Sequence, residues 1–119
     1  MSTRTKSARR DARVETSALV FAALGDATRL RLVTMLCAGG ALSIAQLTAG
    51  TAISRQAVTK HLQVLADAGL VHDDKHGRER RWAFEPTRLD EARQALDAIA
   101  AQWDQALGRL KQFVEDEAL

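Results

Sequence analysis

The sequence predicts a mainly α-helical domain that carries one small β-hairpin, and three observations support this prediction. Apolar residues recur at helical spacing through most of the chain, whereas residues 70–85 show the alternation typical of short strands. Glycines and helix-capping side chains divide the helical part into segments. A last apolar pattern continues without a break from the only proline, Pro86, to about Glu117. With 119 residues, the chain has room for a single domain over residues 14–119.

The N-terminal segment is basic. Residues 1–13 contain five Lys or Arg residues and one acidic residue, Asp11, and we expect them to form a disordered arm. The apolar spacing predicts a first helix over residues 15–24. One side of this helix carries Ala18, Phe21 and Ala22.

A second helix is expected to begin after Asp26, whose carboxylate can cap it, and to end at Gly39-Gly40. Its predicted buried residues are Leu30, Val33, Met35 and Leu36. The only cysteine, Cys37, follows this apolar run, so we expect an inert, buried thiol.

Two further helices joined by a short turn predict a helix-turn-helix. Ser43 and Gln46 have the spacing of a capping box, which opens a short third helix through Leu47. After a turn at residues 50–53, Ser54 caps a fourth helix over residues 54–69.

The fourth helix has two different faces. Val58, Leu62 and Leu65 form one apolar stripe, and polar side chains lie opposite it. Such polar groups reach base edges and phosphates when a helix enters the major groove. We therefore predict a recognition helix, with these DNA-contacting residues: Arg55, Gln56, Thr59 and Lys60.

The region of residues 70–85 predicts a wing, meaning a β-hairpin placed directly after the recognition helix. A polar turn that contains Gly77 joins two short strands. Trp82 and Phe84 alternate with Arg81 and Ala83, so one face of the second strand can pack on the helices.

The long closing helix, expected over residues 87–117, predicts an interface. A helix of about 28 residues in this range would span about 42 Å, which is longer than the body of so small a domain. Part of its apolar stripe would stay exposed in a monomer, and this favours homodimerisation together with the first helix. The predicted interface residues are Phe21, Leu96, Ile99, Trp103, Leu110 and Phe113.

Charge is distributed unevenly. The net charge is only +2, but the last third of the chain holds seven acidic residues against four basic ones. This polarity suits a nucleic-acid face and a separate partner face. A single cysteine forms no intramolecular disulfide, which favours the cytoplasm, and the sequence shows neither a membrane span nor a signal peptide.

Three motifs in order resemble those of the ArsR-type (arsenical-resistance-repressor) winged-helix regulators. They are Leu-Gly-Asp-Ala-Thr-Arg-Leu-Arg at residues 24–31, the stretch of residues 54–71, and Gly-Arg-Glu-Arg-Arg at residues 77–81. The resemblance runs from about Thr16 to Glu117. It implies a homodimer that binds a pseudo-palindromic operator in double-stranded DNA, usually as a repressor released by a ligand.

The resemblance also implies roles for individual residues. It places Ser54, Arg55, Gln56, Thr59 and Lys60 in the major groove. It places three wing arginines along phosphates or the neighbouring minor groove: Arg78, Arg80 and Arg81. His61 stays open between a phosphate contact and simple packing.

The chain departs from the metal-sensing members of that family. Where they carry a Cys-Val-Cys-Asp-Leu pattern, residues 43–47 read Ser-Ile-Ala-Gln-Leu, and residues 87–119 contain neither histidine nor cysteine. A soft or borderline metal needs about four converging ligands. We therefore expect no metal and no cofactor. Three modes of control remain open, namely a small organic effector at the dimer interface, a partner protein, or protein abundance alone.

Two alternative function classes are a protein-docking module and an enzyme. A winged helix can dock a protein after losing specific DNA binding, although the many phosphate-capable donors of this chain argue against that alternative. An enzyme is disfavoured, because the sequence shows no phosphate-binding loop, no metal triad and no nucleophile with an evident base.

Overall fold

A computed structural model describes the backbone of residues 2–118, and the side chains of residues 8–118 apart from His76. The prediction of a mainly helical chain with a small antiparallel sheet and a long last helix is confirmed. The elements, in chain order, are α1 (Ser2–Leu24), α2 (Ala27–Gly39), β1 (Leu42–Ser43), α3 (Ile44–Ala49), α4 (Arg55–Asp67), β2 (Val71–His76), β3 (Glu79–Phe84) and α5 (Pro86–Glu117).

The first helix corrects the prediction of a disordered arm at residues 1–13. The backbone is helical from Ser2, so α1 starts far before the predicted residue 15, and only Met1 of that arm lies outside the described residues. No glycine or proline interrupts residues 2–24, and the helix therefore continues outward from its packed end. Its buried face consists of Ser17, Val20 and Ala23 rather than the face that carries Phe21.

Helix α2 has the predicted bounds but a different buried face. Leu32, Val33 and Leu36 are buried, whereas Leu30 is half exposed at 51%. The prediction of a buried Cys37 was wrong, because its thiol is exposed. Both errors have one cause: α2 packs with the 32–33–36 stripe inward, and residue 37 then points about 100° away from residue 36.

Helix α3 and helix α4, the predicted recognition helix, both begin at a side-chain cap, and α4 also has a defined C-terminal end. The Ser43 and Gln46 capping box of α3 is present, and the Ser54 hydroxyl accepts a hydrogen bond from the Ala57 N–H at 3.2 Å. At the other end, the Leu70 N–H donates to the Leu65 carbonyl at 2.9 Å. Gly69, with φ +77°, supplies the left-handed position that this helix ending requires.

The wing hairpin, β2 and β3, belongs to a three-stranded antiparallel sheet in the order β1-β3-β2. In the hairpin, Val71 faces Phe84 and His76 faces Glu79, so the loop consists of two residues, Gly77 and Arg78. Gly77 has φ +66° and Arg78 does not have positive φ, which is the pattern of a type II′ turn. Sequence reasoning missed β1, whose two residues pair with Trp82 and Arg81.

The core lies where α2 and α4 meet the sheet and the inner ends of α1 and α5. Val58, Leu62 and Leu65 are 0% exposed and occupy its centre. The other buried apolar residues are Val20, Ala23, Leu32, Val33, Leu36, Leu47, Ala68, Leu70, Val71, Trp82 and Ala92. Helix α5 packs against α1 but buries fully only Ala92 of its own residues.

We expect Leu62→Ala to lower the free energy of unfolding by about 2–5 kcal/mol, because it opens a cavity in the centre of the core. The matched control is Val64→Ala on the same helix, where the side chain is 42% exposed. Its effect should stay within about 0.5 kcal/mol. Urea denaturation followed by circular dichroism measures both at one protein concentration. Equal losses for the two variants would contradict the packing of α4 described above.

Candidate nucleic-acid interface

The outer face of α4 is open to solvent. Burial of the apolar stripe turns the opposite side of the helix outward, and five of the predicted DNA-contacting residues are exposed there: Ser54, Arg55, Gln56, Thr59 and Lys60. Four of them line one open depression beside Ile44, namely Arg55, Gln56, Thr59 and Lys60. The structure therefore brings these residues together on one surface.

Local hydrogen bonds limit what two of these side chains can offer. The Thr59 hydroxyl donates to the Arg55 carbonyl at 2.9 Å, so only its acceptor lone pairs point away from the helix. The Ser54 oxygen already accepts the capping bond from Ala57. Arg55, Gln56 and Lys60 consequently remain the principal donors of this face.

His61 lies at the edge of this face, with a quarter of its side chain exposed, and contacts the start of α2. Its Nδ1 atom is 3.4 Å from the Arg29 guanidinium and 3.9 Å from the Asp26 carboxylate. A guanidinium can only donate, so the shorter contact is a hydrogen bond in the His61 tautomer that carries its proton on Nε2. His61 is thus anchored to the protein through one ring nitrogen.

Arg29 joins three helices at this point. Its Nε donates to the Ala23 carbonyl at 2.6 Å and its Nη2 to the Ala22 carbonyl at 3.3 Å, which satisfies the last turn of α1. Its Nη1 reaches His61 on α4. The sequence alone did not reveal this contact role of Arg29. Arg29 lies within the first family motif, but sequence spacing does not show which residues its side chain contacts.

Asp26 caps α2 from the same cluster. Its carboxylate accepts a hydrogen bond from the Arg29 backbone N–H at 3.0 Å. This bond, supported by the positive charge of Arg29, lowers the pKa of Asp26 below its usual value.

The wing arginines differ in their surroundings. The Arg80 Nε is 3.0 Å from the Asp73 carboxylate, and the Arg81 Nη2 is 3.3 Å from that of Glu79. Successive residues of a strand point to opposite faces, so Arg80 and Arg81 do not share a face of the hairpin. Arg78 lies in the exposed turn, where no ion pair joins it to a carboxylate among the described side chains.

A groove runs between the wing and the start of α4. Arg55 from α4 lines it together with Arg78 and Arg80 from the wing, and residues 43–45 at the start of α3 complete the lining. Among the described residues that line it, Glu79 is the one acidic residue, and it is paired with Arg81. The groove therefore presents two arginines without a carboxylate partner among the described side chains, Arg55 and Arg78, and a third, Arg80, that is paired with Asp73.

Metal-ligand residues are scattered through the part of the chain that the structure describes. Within that part, no three His, Cys, Asp or Glu side chains converge as they would around a metal ion. The His72 ring lies 3.6 Å from the Glu85 carboxylate at the base of the wing, and His61 lies on α4.

A second surface lies on α1 and α5. Trp103 and Phe113 are each 63% exposed, and the other predicted interface residues, Phe21, Leu96, Ile99 and Leu110, are also exposed. Between the two helices is an open cleft of about 600 Å³ whose floor includes Val14, Ala98 and Ile99. Over the described residues, no helix is both long and apolar enough for a membrane crossing.

Comparison with known proteins identifies this arrangement. The profile of a helix-turn-helix domain family matches residues 24–74. The HTH-type transcriptional regulator Rv2034 of Mycobacterium tuberculosis is 38% identical over 95 residues, which cover 80% of this chain and 85% of the relative. An ArsR-like transcriptional regulator from Rhodococcus sp. RHA1 superposes with a TM-score of 0.76 at 38% identity, over 84% of this chain and 93% of its own. The chain belongs to the ArsR family of winged helix-turn-helix transcriptional regulators.

Membership in the ArsR family confirms the resemblance found in the sequence and establishes a DNA-binding transcriptional regulator. A further structural neighbour is the homodimeric winged helix-turn-helix DNA-binding domain Mb0332 of Mycobacterium bovis. It shares 26% identity at a TM-score of 0.62, over 79% of this chain and 85% of its own.

The Asp26 cap predicts a specific dependence of stability on pH. Because folding lowers the pKa of Asp26 from 3.8, its stabilising contribution is present above that pH and is lost as the pH falls through the folded pKa. We expect the difference in free energy of unfolding between the wild type and Asp26→Asn to be constant near neutral pH and to shrink below about pH 4.

Ser54→Ala is the control, because it removes an uncharged cap and should destabilise by about 1 kcal/mol at every pH. Denaturation curves between neutral pH and about pH 3 measure both variants. A difference for Asp26→Asn that stays constant over the whole range would contradict the role assigned to the charge.

Proposed function

We propose that the chain acts as a homodimeric, sequence-specific repressor that reads a pseudo-palindromic operator through the major groove. The observation that carries this proposal is the exposed donor face of α4, directly opposite a stripe that is 0% exposed. The recognition helix is therefore fixed by its inner face and presents its polar side chains outward. The repressor assignment follows the usual role implied by the family resemblance.

Direct readout is assigned to the first turns of α4. Arg55 can donate two hydrogen bonds to a guanine edge, and Gln56 can pair with an adenine through both amide atoms. Lys60 and the Nε2 side of the His61 ring would contact phosphates. At the groove edge the Ser54 hydroxyl would donate and the Thr59 hydroxyl oxygen would accept. Arg78, Arg80 and Arg81 on the wing would approach the backbone beside the reading helix.

Homodimerisation is assigned to α5 together with α1. Helix α5 has 32 residues and is about 48 Å long, yet most of its apolar stripe lies in solvent. So large an exposed apolar patch is typical of an interface. The homodimeric structural neighbour Mb0332 supports this assignment. A two-fold axis through this interface would set two recognition helices about 34 Å apart, one turn of DNA.

Control by the usual thiolate metal site is not part of this proposal. Residues 43–47 start at the cap of α3 and contain no thiolate, and the exposed Cys37 lies on α2. An organic effector or a partner protein would have to act through the surfaces described above.

The experiment that identifies the operator is the selection of genomic DNA fragments by the purified protein at about 150 mM salt. Non-specific binding is weak at that concentration. We expect enrichment of an inverted repeat with half-sites about one helical turn apart. Binding without any enriched sequence would contradict the proposed sequence-specific function.

On the selected operator, Gln56→Ala should weaken binding by about 1–3 kcal/mol and relax the preference at one base pair per half-site. The control is Gln63→Ala on the same helix, which lies about two turns after Gln56 and whose amide donates to Asp67 at 2.9 Å. Competition binding with single-base operator variants gives both numbers. An unchanged preference in Gln56→Ala would show that another face of α4 reads the bases.

Trp103→Asp should convert the dimer to a monomer, because it places a charge in the apolar stripe of α5. Gln105→Asp adds the same charge two residues further, on the opposite side of the helix, and should remain dimeric. Sedimentation equilibrium measures the two masses, and circular dichroism verifies that both variants are folded. A Trp103→Asp variant that still forms the dimer would rule out this interface.

A further inference from the structure

The wing carries nearly as many acidic as basic side chains, which is unexpected for a surface that contacts DNA. Residues 71–84 contain four Lys or Arg residues and three Asp or Glu residues. The three acidic residues are Asp73, Asp74 and Glu79. Two of them hold arginines, since Asp73 lies 3.0 Å from Arg80 and Glu79 lies 3.3 Å from Arg81.

The Asp73–Arg80 pair is built into the register of the hairpin. Asp73 faces Trp82 and Lys75 faces Arg80 across the two strands, so Asp73 and Arg80 are diagonal neighbours on one face. That placement brings the carboxylate to the Arg80 Nε without displacing the backbone. The pair is partly exposed, with 56% of the Arg80 side chain and 44% of the Asp73 side chain accessible. A ligand can therefore reach the arginine.

Arg80 also lines the groove that Arg55 and Arg78 line. A DNA phosphate that entered this groove would meet Arg55 and Arg78 directly, because neither forms an ion pair among the described side chains. It would meet Arg80 only after the guanidinium had left Asp73. The two anions thus compete for the same cation.

We propose that Asp73 is a built-in competitor of the DNA backbone, which restrains the sequence-independent affinity of the wing by holding Arg80. When Arg80 moves from Asp73 to a DNA phosphate, one ion pair replaces another, and Asp73 then takes up a cation from the solution. Arg80 therefore adds little net counterion release when it contacts DNA. Discrimination between DNA sequences is then left to the donors of α4, while the wing holds the backbone mainly through Arg78.

This inference rests on the DNA binding of the family, and it is tested without an operator. The probe is a labelled duplex of mixed sequence, about 30 base pairs long, so that it spans two successive major grooves. Fluorescence anisotropy between about 50 and about 300 mM salt gives the affinity and its salt slope. Four proteins form a cycle: the wild type, Asp73→Asn, Arg80→Gln and the double variant.

In the wild-type background, Asp73→Asn should tighten binding by about two- to fivefold per wing, in line with the strength of an exposed ion pair. It should also steepen the salt slope by up to about 0.9 per wing, because a free arginine now releases a counterion. In the Arg80→Gln background, the same substitution should leave the slope unchanged. Arg80→Gln alone should weaken binding less than it does when Asp73 is already Asn.

Asp67→Asn is the matched control. Its carboxylate accepts a hydrogen bond from Gln63, and no described cation pairs with it, so the substitution removes one negative charge without releasing an arginine. It should leave the salt slope at the wild-type value. Circular dichroism verifies that all of the variants are folded.

Equal effects of Asp73→Asn in both backgrounds would overturn the inference, because the acidic residue would then act through its charge alone. A wild-type protein that fails to bind the duplex at the lowest salt would also overturn it. Failure of operator reading, by contrast, would be seen only with the selected operator and the Gln56→Ala variant. The two proposals can therefore fail separately.

Discussion

The burial of one side of α4 is the constraint on which the rest of this structure depends. Val58, Leu62 and Leu65 are completely removed from solvent, and each contributes about 1.5–3 kcal/mol through that burial. Rotating the helix to present other residues to DNA would expose this stripe. The core of the protein therefore decides which residues of α4 lie on its exposed face, and Arg55 and Gln56 face outward because the apolar residues of the same helix face inward.

Arg29 connects this recognition helix to the surface where we place the partner subunit. Its guanidinium donates to carbonyls in the last turn of α1 and contacts His61 on α4. One side chain therefore connects α1, which forms part of the proposed dimer surface, with α4. Such a link gives a physical route by which a change in the packing of α1 could alter the position of α4. The Asp26 cap holds the Arg29 backbone in place for both contacts.

Ion pairs within the wing reduce the positive charge that its arginines can offer to DNA. The sequence presents Arg78, Arg80 and Arg81 as equivalent cations in one basic motif. In the folded hairpin, two of them are paired with carboxylates and point to opposite faces, and the third lies in the turn. A count of basic residues therefore overstates the positive charge that this wing offers to a phosphate.

The sequence by itself determined the fold class, the bounds of the recognition helix, the hairpin and the long last helix. Those features depend on local rules: the spacing of Val58, Leu62 and Leu65, the caps at Ser43 and Ser54, and the glycine at residue 69. Only the tertiary structure decided that residues 2–13 are helical, that Cys37 is exposed, and which carboxylate holds Arg80. These outcomes depend on which face of a helix meets its neighbour and on the register of two strands. Sequence spacing leaves both open, because several faces and registers satisfy the same local pattern until the core is packed.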